Sequence, residues 1–255
     1  MTEPLFTGVG VALATQFDEA GEIDAKATAA HAAALVDLGI RSVVVAGSTG
    51  EAAALTAAER VALLTEVRRA VPAAVPVIAG TGGPSARQAA ALTGDARDAG
   101  ADAVLALCPP RTNDPRRYYE AVAEAAGDLP ALAYHFPQTA PPGIPLDTLA
   151  DLPVQGMKDS SGDPERLLAE LEVFHHPLYV GAAMLLLMAG SLGIAGAVLA
   201  VANVDPEHAV AAFAGDPTAQ RALLTPHKRV RNRFPFGLKD AIADRFNTSR
   251  ATRLG

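Results

Sequence analysis

Only four lysines occur among the 255 residues, Lys26, Lys158, Lys228 and Lys239, and one of them stands in an unusual setting. Lys158 closes the run Val154-Gln155-Gly156-Met157 and is followed by Asp159-Ser160-Ser161-Gly162. A strand ending there aims the amine into the mouth of a barrel, whereas the other three lysines fall in helical or terminal contexts. An interior lysine is costly to keep charged: lowering its pKa by about 3 units corresponds to about 4 kcal/mol of differential stabilisation. The neutral amine so produced attacks carbonyl carbon, the first requirement of Schiff-base chemistry. A lysine paired with Asp159 or another carboxylate at the strand end fits the position equally well.

Two further segments carry groups suited to such a reaction. Gly47-Ser48-Thr49-Gly50-Glu51 puts two adjacent hydroxyls between glycines. Small residues let a ligand approach the backbone, and the N–H groups and hydroxyls can hold a carboxylate or a phosphate. An ordinary strand-to-helix turn, with Ser48 and Thr49 bonded to their own backbone, has the same composition. It is not a P-loop, because the Gly-Lys-Ser/Thr ending is absent. Tyr134, in Leu132-Ala133-Tyr134-His135-Phe136-Pro137, offers a phenol able to move a proton, or else a large packing residue with one hydrogen bond. His135 points the opposite way from Tyr134 on a strand and is given no general-base role. His175-His176 lacks an accompanying acidic cluster, so it does not read as a metal site. Cys108 has no cysteine partner and reads as a buried thiol.

Placing these residues requires strands. Short Val-, Ala- and Leu-rich runs alternate with longer amphipathic ones along the whole chain, the pattern of βα units on a parallel sheet. Eight strands are expected at 9–15, 42–46, 75–79, 103–107, 131–135, 154–158, 178–181 and 196–201. Between them, Asp24 caps a helix over 25–38 that stops at Gly39. Thr56 and Glu59 make a capping box for a helix ending near Ala70, Ser85 opens one that closes at Gly100, and Asp163-Pro164 opens 165–172. Eight such steps without a linker fit a (β/α)8 TIM barrel over 1–215, with 216–255 as a short C-terminal helical extension packed on it; a doubly wound sheet is the runner-up. In a barrel, chemistry sits at the carboxyl ends of the strands.

Composition sets outer limits. Hydrophobic residues make up 50% and charged residues 19%, enough to bury a core. The net charge of −7 provides no general basic field for nucleic acid or an anionic membrane, so an anionic ligand must be met locally. The uncharged stretch 182–202 is long enough to span a bilayer. Gly190, Ser191, Gly193 and Gly196 interrupt it, no basic flank orients it, and a buried helix followed by a buried strand gives the same run. One cysteine and an N-terminal segment without a basic, apolar leader pattern point to the cytoplasm.

Gly-Ser-Thr-Gly-Glu after strand two, Ala79-Gly80-Thr81-Gly82 after strand three, Tyr134, Gly156-Met157-Lys158-Asp159 and Ala202-Asn203-Val204 together resemble the dihydrodipicolinate synthase and N-acetylneuraminate lyase family. The likeness runs from Phe6 to about Asn203, with a weaker echo at Gly237-Leu238-Lys239. It implies a class I aldolase or lyase in which Lys158 forms a Schiff base with pyruvate or another 2-oxo acid. It further implies that Ser48 and Thr49 hold the carboxylate, that Tyr134 assists proton transfer, and that Val198 offers its backbone carbonyl beside the bound acid. No metal or organic cofactor is required. Partners are small molecules, a 2-oxo acid and an aldehyde, in a homo-oligomer, dimer or tetramer.

The family pattern is broken at the second substrate. Pro109-Pro110-Arg111 replaces a usual tyrosine pair, and Gln138-Thr139-Ala140 replaces the arginine expected shortly after the strand-five tyrosine. Gly181-Ala182-Ala183 lacks the acidic residue often found after strand seven, and the segment beyond the barrel is short. This resembles members acting on 2-keto-3-deoxy sugar acids. The expectation is therefore a pyruvate-dependent aldolase for a hydroxylated 2-oxo acid. The alternatives are 4-hydroxy-tetrahydrodipicolinate synthase activity in lysine biosynthesis, with Arg111 or another arginine as the clamp, and a non-catalytic 2-oxo acid sensor barrel.

Overall fold

A computed structural model describes residues 3–254. Its first half runs β1 (Gly8–Ala12), α1 (Ala25–Asp37), β2 (Val43–Val45), α2 (Ala57–Ala70), β3 (Val77–Gly80), α3 (Ala86–Asp98), β4 (Ala103–Leu107) and α4 (Arg116–Ala126). The second half continues β5 (Ala131–His135), α5 (Leu146–Leu149), β6 (Gly156–Asp159), α6 (Pro164–Val173), β7 (Leu178–Val180), α7 (Leu186–Ser191), β8 (Gly196–Leu199) and α8 (Pro206–Phe213). Three further helices follow: α9 (Pro217–Ala222), α10 (Leu224–Arg231) and α11 (Phe236–Phe246). Each strand pairs in parallel with the next, and β8 returns to β1 through Gly8–Gly196 to Val11–Leu199, so the sheet closes. The protein is a (β/α)8 TIM barrel with C-terminal helices.

Side-chain alternation divides the apolar residues into two layers. Inside the barrel stand Ala12, Val44, Ile78, Leu105, Leu132, Tyr134, Tyr179 and Val198, closed off by Phe6. Outside, Val11, Val43, Val77, Val104, Met157 and Val180 meet the apolar faces of the helices. Each fully buried Val or Leu contributes roughly 1.5–3 kcal/mol by leaving water. Phe6, just before β1, lies beneath the amino ends of the strands and stacks on Tyr179 with centroids 4.6 Å apart.

The helix starts follow their caps. Asp24 accepts the Ala27 N–H, Thr56 and Glu59 form the reciprocal capping box, Ser85 accepts from Gln88, and Asp163 accepts from Glu165 and Arg166. β4 and β5 have the expected bounds, β3 and β6 run one residue further than expected and start two later, and β1, β2, β7 and β8 stop short of their expected carboxyl ends. The uncharged stretch 182–202 resolves into a 3-10 turn, the six-residue α7 and β8. No described helix is long and apolar enough to cross a membrane.

Candidate active site

Lys158 lies on β6 opposite Tyr134 of β5 and Tyr179 of β7 in the strand register. Residues paired across parallel strands share a face, so all three point into the barrel. Lys158 is 5% exposed, and its Nζ sits 4.3 Å from the centroid of the Tyr134 ring. Among the described residues it has no ion pair and no hydrogen bond; a cation–π contact is what the fold offers its head group. Asp159, the carboxylate most available to it in sequence, faces outward and accepts the N–H and Oγ–H of Ser161, each at 2.8 Å. The lysine–aspartate pairing open in the sequence is therefore not formed.

The outer face of β6 carries its own buried charges. Burial raises the pKa of Asp159, while its bonds to Ser161 and the charge of Arg166 pull it back. Behind it Glu170 is pushed up to about 8, by burial first and by the charge of Asp159 second. Arg166 bonds the second of them: Nε donates to Glu170 Oε1 at 2.7 Å, while Nη2 donates to the Ile144 carbonyl at 2.8 Å. These bonds tie α6 to the connection between β5 and β6, outside the barrel interior.

Tyr134 is buried, its ring stacked on Phe136 at 5.8 Å, and its oxygen accepts the Ser160 hydroxyl at 3.3 Å. Ser160 was given no role from sequence. A signal existed, since a residue two places beyond Lys158 on an extended chain falls on the same face, and the Ser160 N–H continues the ladder onto the His135 carbonyl at 2.8 Å. Gly181, the residue after β7, explains how these groups fit together. A β-carbon there would lie 1.8 Å from Ser160 Oγ and 2.9 Å from Lys158 Cε, so any side chain would displace one or the other.

Ser48 and Thr49 occupy the 3-10 turn Ser48–Gly50, which follows β2 at the carboxyl end of the barrel. Both are half-buried, and neither hydroxyl has a hydrogen-bond partner among the described residues. The self-bonded turn allowed by sequence is not what forms. Val198 stands in the inner cluster with Tyr134 and Tyr179. Asn203, beyond β8, ties the barrel seam: Nδ2 donates to the Ala12 carbonyl at 2.7 Å and Oδ1 accepts the Ala14 N–H at 3.0 Å.

His135 faces away from the site, and its Nδ1 accepts the Ile144 N–H at 2.9 Å. Burial pushes the Cys108 thiol up to about 11. Arg111 is exposed, with its N–H on the Pro141 carbonyl at 2.7 Å. The exposed Gln138 donates Nε2 to the Ser161 carbonyl at 2.6 Å. Among the described residues no three His, Cys, Asp or Glu side chains gather where a metal ion could be held.

Eight parallel strands closed on themselves, with an amine, a phenol and free hydroxyls gathered at their carboxyl ends, define an enzyme of the (β/α)8-barrel class. A sequence model of the dihydrodipicolinate synthetase family matches residues 5–228, and the chain belongs to that family of carbon–carbon lyases. It is 38% identical over 215 residues to an uncharacterized DapA-like lyase of Halobacterium salinarum, covering 81% of this chain and 70% of that one. It is 34% identical over 238 residues to the 4-hydroxy-tetrahydrodipicolinate synthase of Natronomonas pharaonis, covering 88% and 80%. Among solved structures, a prophage protein of the dihydrodipicolinic acid synthase family from E. coli K12, in complex with pyruvate, superposes with a TM-score of 0.88 at 27% identity, covering 98% of this chain and 92% of that one.

Proposed function

We propose that the protein is a pyruvate-dependent class I aldolase acting on hydroxylated 2-oxo acids of the 2-keto-3-deoxy sugar acid type. The observation that carries this reading is the Lys158 amine, buried in the barrel and ion-paired with none of the described residues. The amine adds to the C2 carbonyl of the 2-oxo acid, and loss of water, with the proton delivered by Tyr134, leaves an iminium ion. The iminium withdraws electrons, so the phenolate left at Tyr134 takes up a C3 proton and an enamine forms. The enamine carbon attacks the aldehyde carbonyl, whose oxygen receives the Tyr134 proton and becomes a hydroxyl, and water then hydrolyses the new iminium to free the product and the amine. The reverse sequence cleaves the same bond. The free hydroxyls of Ser48 and Thr49 hold the carboxylate of the acid, with the carbonyl of Val198 beside it. The pyruvate bound by the E. coli relative supports the choice of 2-oxo acid.

Neutral groups stand where an arginine clamp would meet the second substrate. Gln138 is engaged with the Ser161 carbonyl and Thr139 is exposed, so this edge offers neutral hydrogen-bonding groups suited to a hydroxyaldehyde. A second reading, 4-hydroxy-tetrahydrodipicolinate synthase activity, draws on the name of the Natronomonas relative and on Arg111, whose side chain bonds to no described residue. A homo-oligomer of dimer or tetramer size and action in a reducing cytoplasm complete the reading, the latter supported by a single, buried cysteine.

Borohydride reduction in the presence of pyruvate is expected to add a reduced pyruvyl group at Lys158, and Lys158→Ala to abolish it. No adduct across a panel of 2-oxo acids would overturn the reading. Turnover of pyruvate with neutral hydroxyaldehydes, set against turnover with aspartate semialdehyde, separates the two activities.

A further inference from the structure

Behind the Ser48–Gly50 turn lies a group of buried charges that the chemistry above leaves unused. Glu51 ends the turn in the left-handed region, φ 58° and ψ 38°, an uncommon conformation for a residue with a side chain. Its carboxylate is fully buried. One oxygen accepts the backbone N–H groups of Arg253, at 2.8 Å, and Leu254, at 2.7 Å. The other has no hydrogen-bond partner among the described residues and lies 3.9 Å from Nζ of Lys239 on α11. Lys239 is 1% exposed, donates to the Thr15 carbonyl and lies over the Phe17 ring. Thr15 closes the circuit by donating its hydroxyl to the Gly50 carbonyl at 2.7 Å. A β-carbon on Gly50 would stand 2.9 Å from the Leu13 carbonyl, so the turn lies flush on the end of β1.

The segment that reaches Glu51 is itself pinned. The Arg253 guanidinium donates to the carbonyls of Gly21 at 2.6 Å and Ala54 at 3.0 Å, and to Glu59 Oε1 at 2.7 Å. Glu59 is also the acid of the α2 capping box, so one side chain joins the 253–254 segment to the chain that follows the turn and to the connection after β1. Burying an ion pair is a weak source of stability, since apolar residues of the same volume often serve as well. What such a pair supplies here is a fixed place for the backbone of Glu51, which is continuous with Thr49 and Gly50.

We propose that Glu51, Lys239 and the 253–254 segment form a latch that holds the Ser48–Thr49 turn in the shape receiving the 2-oxo acid carboxylate. This inference rests on the functional reading given above for Ser48 and Thr49. None of the latch groups touches substrate; they are positioning residues, and they act on affinity for the acid rather than on the chemistry at Lys158.

The test uses the full chain, with Arg253→Ala and Glu51→Gln as variants, and measures borohydride trapping and turnover as functions of pyruvate concentration. The half-saturating pyruvate concentration is expected to rise about tenfold in each, the factor that losing a charge-assisted hydrogen bond removes, with kcat at saturation within about twofold of the parent. A purely structural role would lower the amount of active protein at an unchanged half-saturation, and that result overturns the latch. Should Glu51→Gln fail to fold, Arg253→Ala decides, together with hydrogen exchange of residues 47–52, which is expected to quicken; unchanged exchange and unchanged half-saturation in that variant also overturn the latch. An adduct in the parent with no shift in either variant defeats the latch alone. No adduct in the parent defeats the functional reading, and the latch with it.

Discussion

Tyr134 has two tasks in the proposed reaction, and they separate at a single atom. Its ring lies under the Lys158 amine, and its oxygen accepts from Ser160. Tyr134→Phe keeps the ring and removes the oxygen. If the phenol moves the proton during dehydration and cleavage, kcat should fall by roughly 10²–10⁴, the usual worth of a positioned acid or base, while prolonged incubation still traps pyruvate on Lys158. Ser160→Ala removes only the donor to that oxygen and should cost less, about fivefold in kcat, in keeping with one lost hydrogen bond of roughly 1 kcal/mol. A Tyr134→Phe enzyme retaining kcat within a factor of about ten would transfer the proton role elsewhere. At this scale the shared inward direction of Lys158 and Tyr134 was legible in the sequence, because alternation along neighbouring strands sets which residues share a face. Glu51 and Lys239 were not, since Glu51 meets Arg253 202 positions along the chain and no local pattern records such a contact.

Helices announced themselves through caps confined to a few consecutive residues, whereas strands of three to five residues did so only approximately. β2 and β7 have three residues each, too few for a period-2 signal when both faces are apolar. The connection from β5 to β6 carries only the four-residue α5, which no amphipathic period could reveal. That connection nevertheless packs closely on β5, where His135 is buried and accepts the Ile144 N–H. Burial, with a smaller contribution from the charge of Arg166, lowers the pKa of His135 from 6.5 to about 4. The unfolded chain therefore takes up a proton at this site as pH falls below about 6.5, while the folded chain does not until about 4. Stability present at neutral pH is lost in that window, by about 2 kcal/mol at pH 5. In His135→Asn the amide oxygen can still accept from Ile144 and nothing titrates. Urea unfolding at pH 8 and pH 5 should show the parent losing about 2 kcal/mol more than the variant between the two. Equal losses would mean that His135 is protonated in the folded protein.

The barrel as a whole separates the work of its two ends, a division the sequence suggested through the order of its βα units. At the carboxyl ends lie the amine, the phenol and the free hydroxyls. At the amino ends Phe6 fills the opening, stacked on Tyr179, whose hydroxyl donates to the Phe6 carbonyl at 3.3 Å. Only the backbone of Phe6 takes part in that bond, so truncating its side chain removes packing and leaves the hydrogen bond available. Phe6→Ala should cost about 3–5 kcal/mol of stability, the usual loss for a buried phenylalanine, because the ring is buried and stacked on Tyr179. Groups at the amino end of a barrel serve stability rather than chemistry. The folded variant at 25 °C should therefore keep the parent's kcat and half-saturating pyruvate, while its thermal midpoint falls by several degrees, as about 3 kcal/mol does in a chain of this length. A change in kcat comparable with that of Tyr134→Phe would show that the two ends are mechanically coupled through Tyr179, the neighbour of Lys158 in the register.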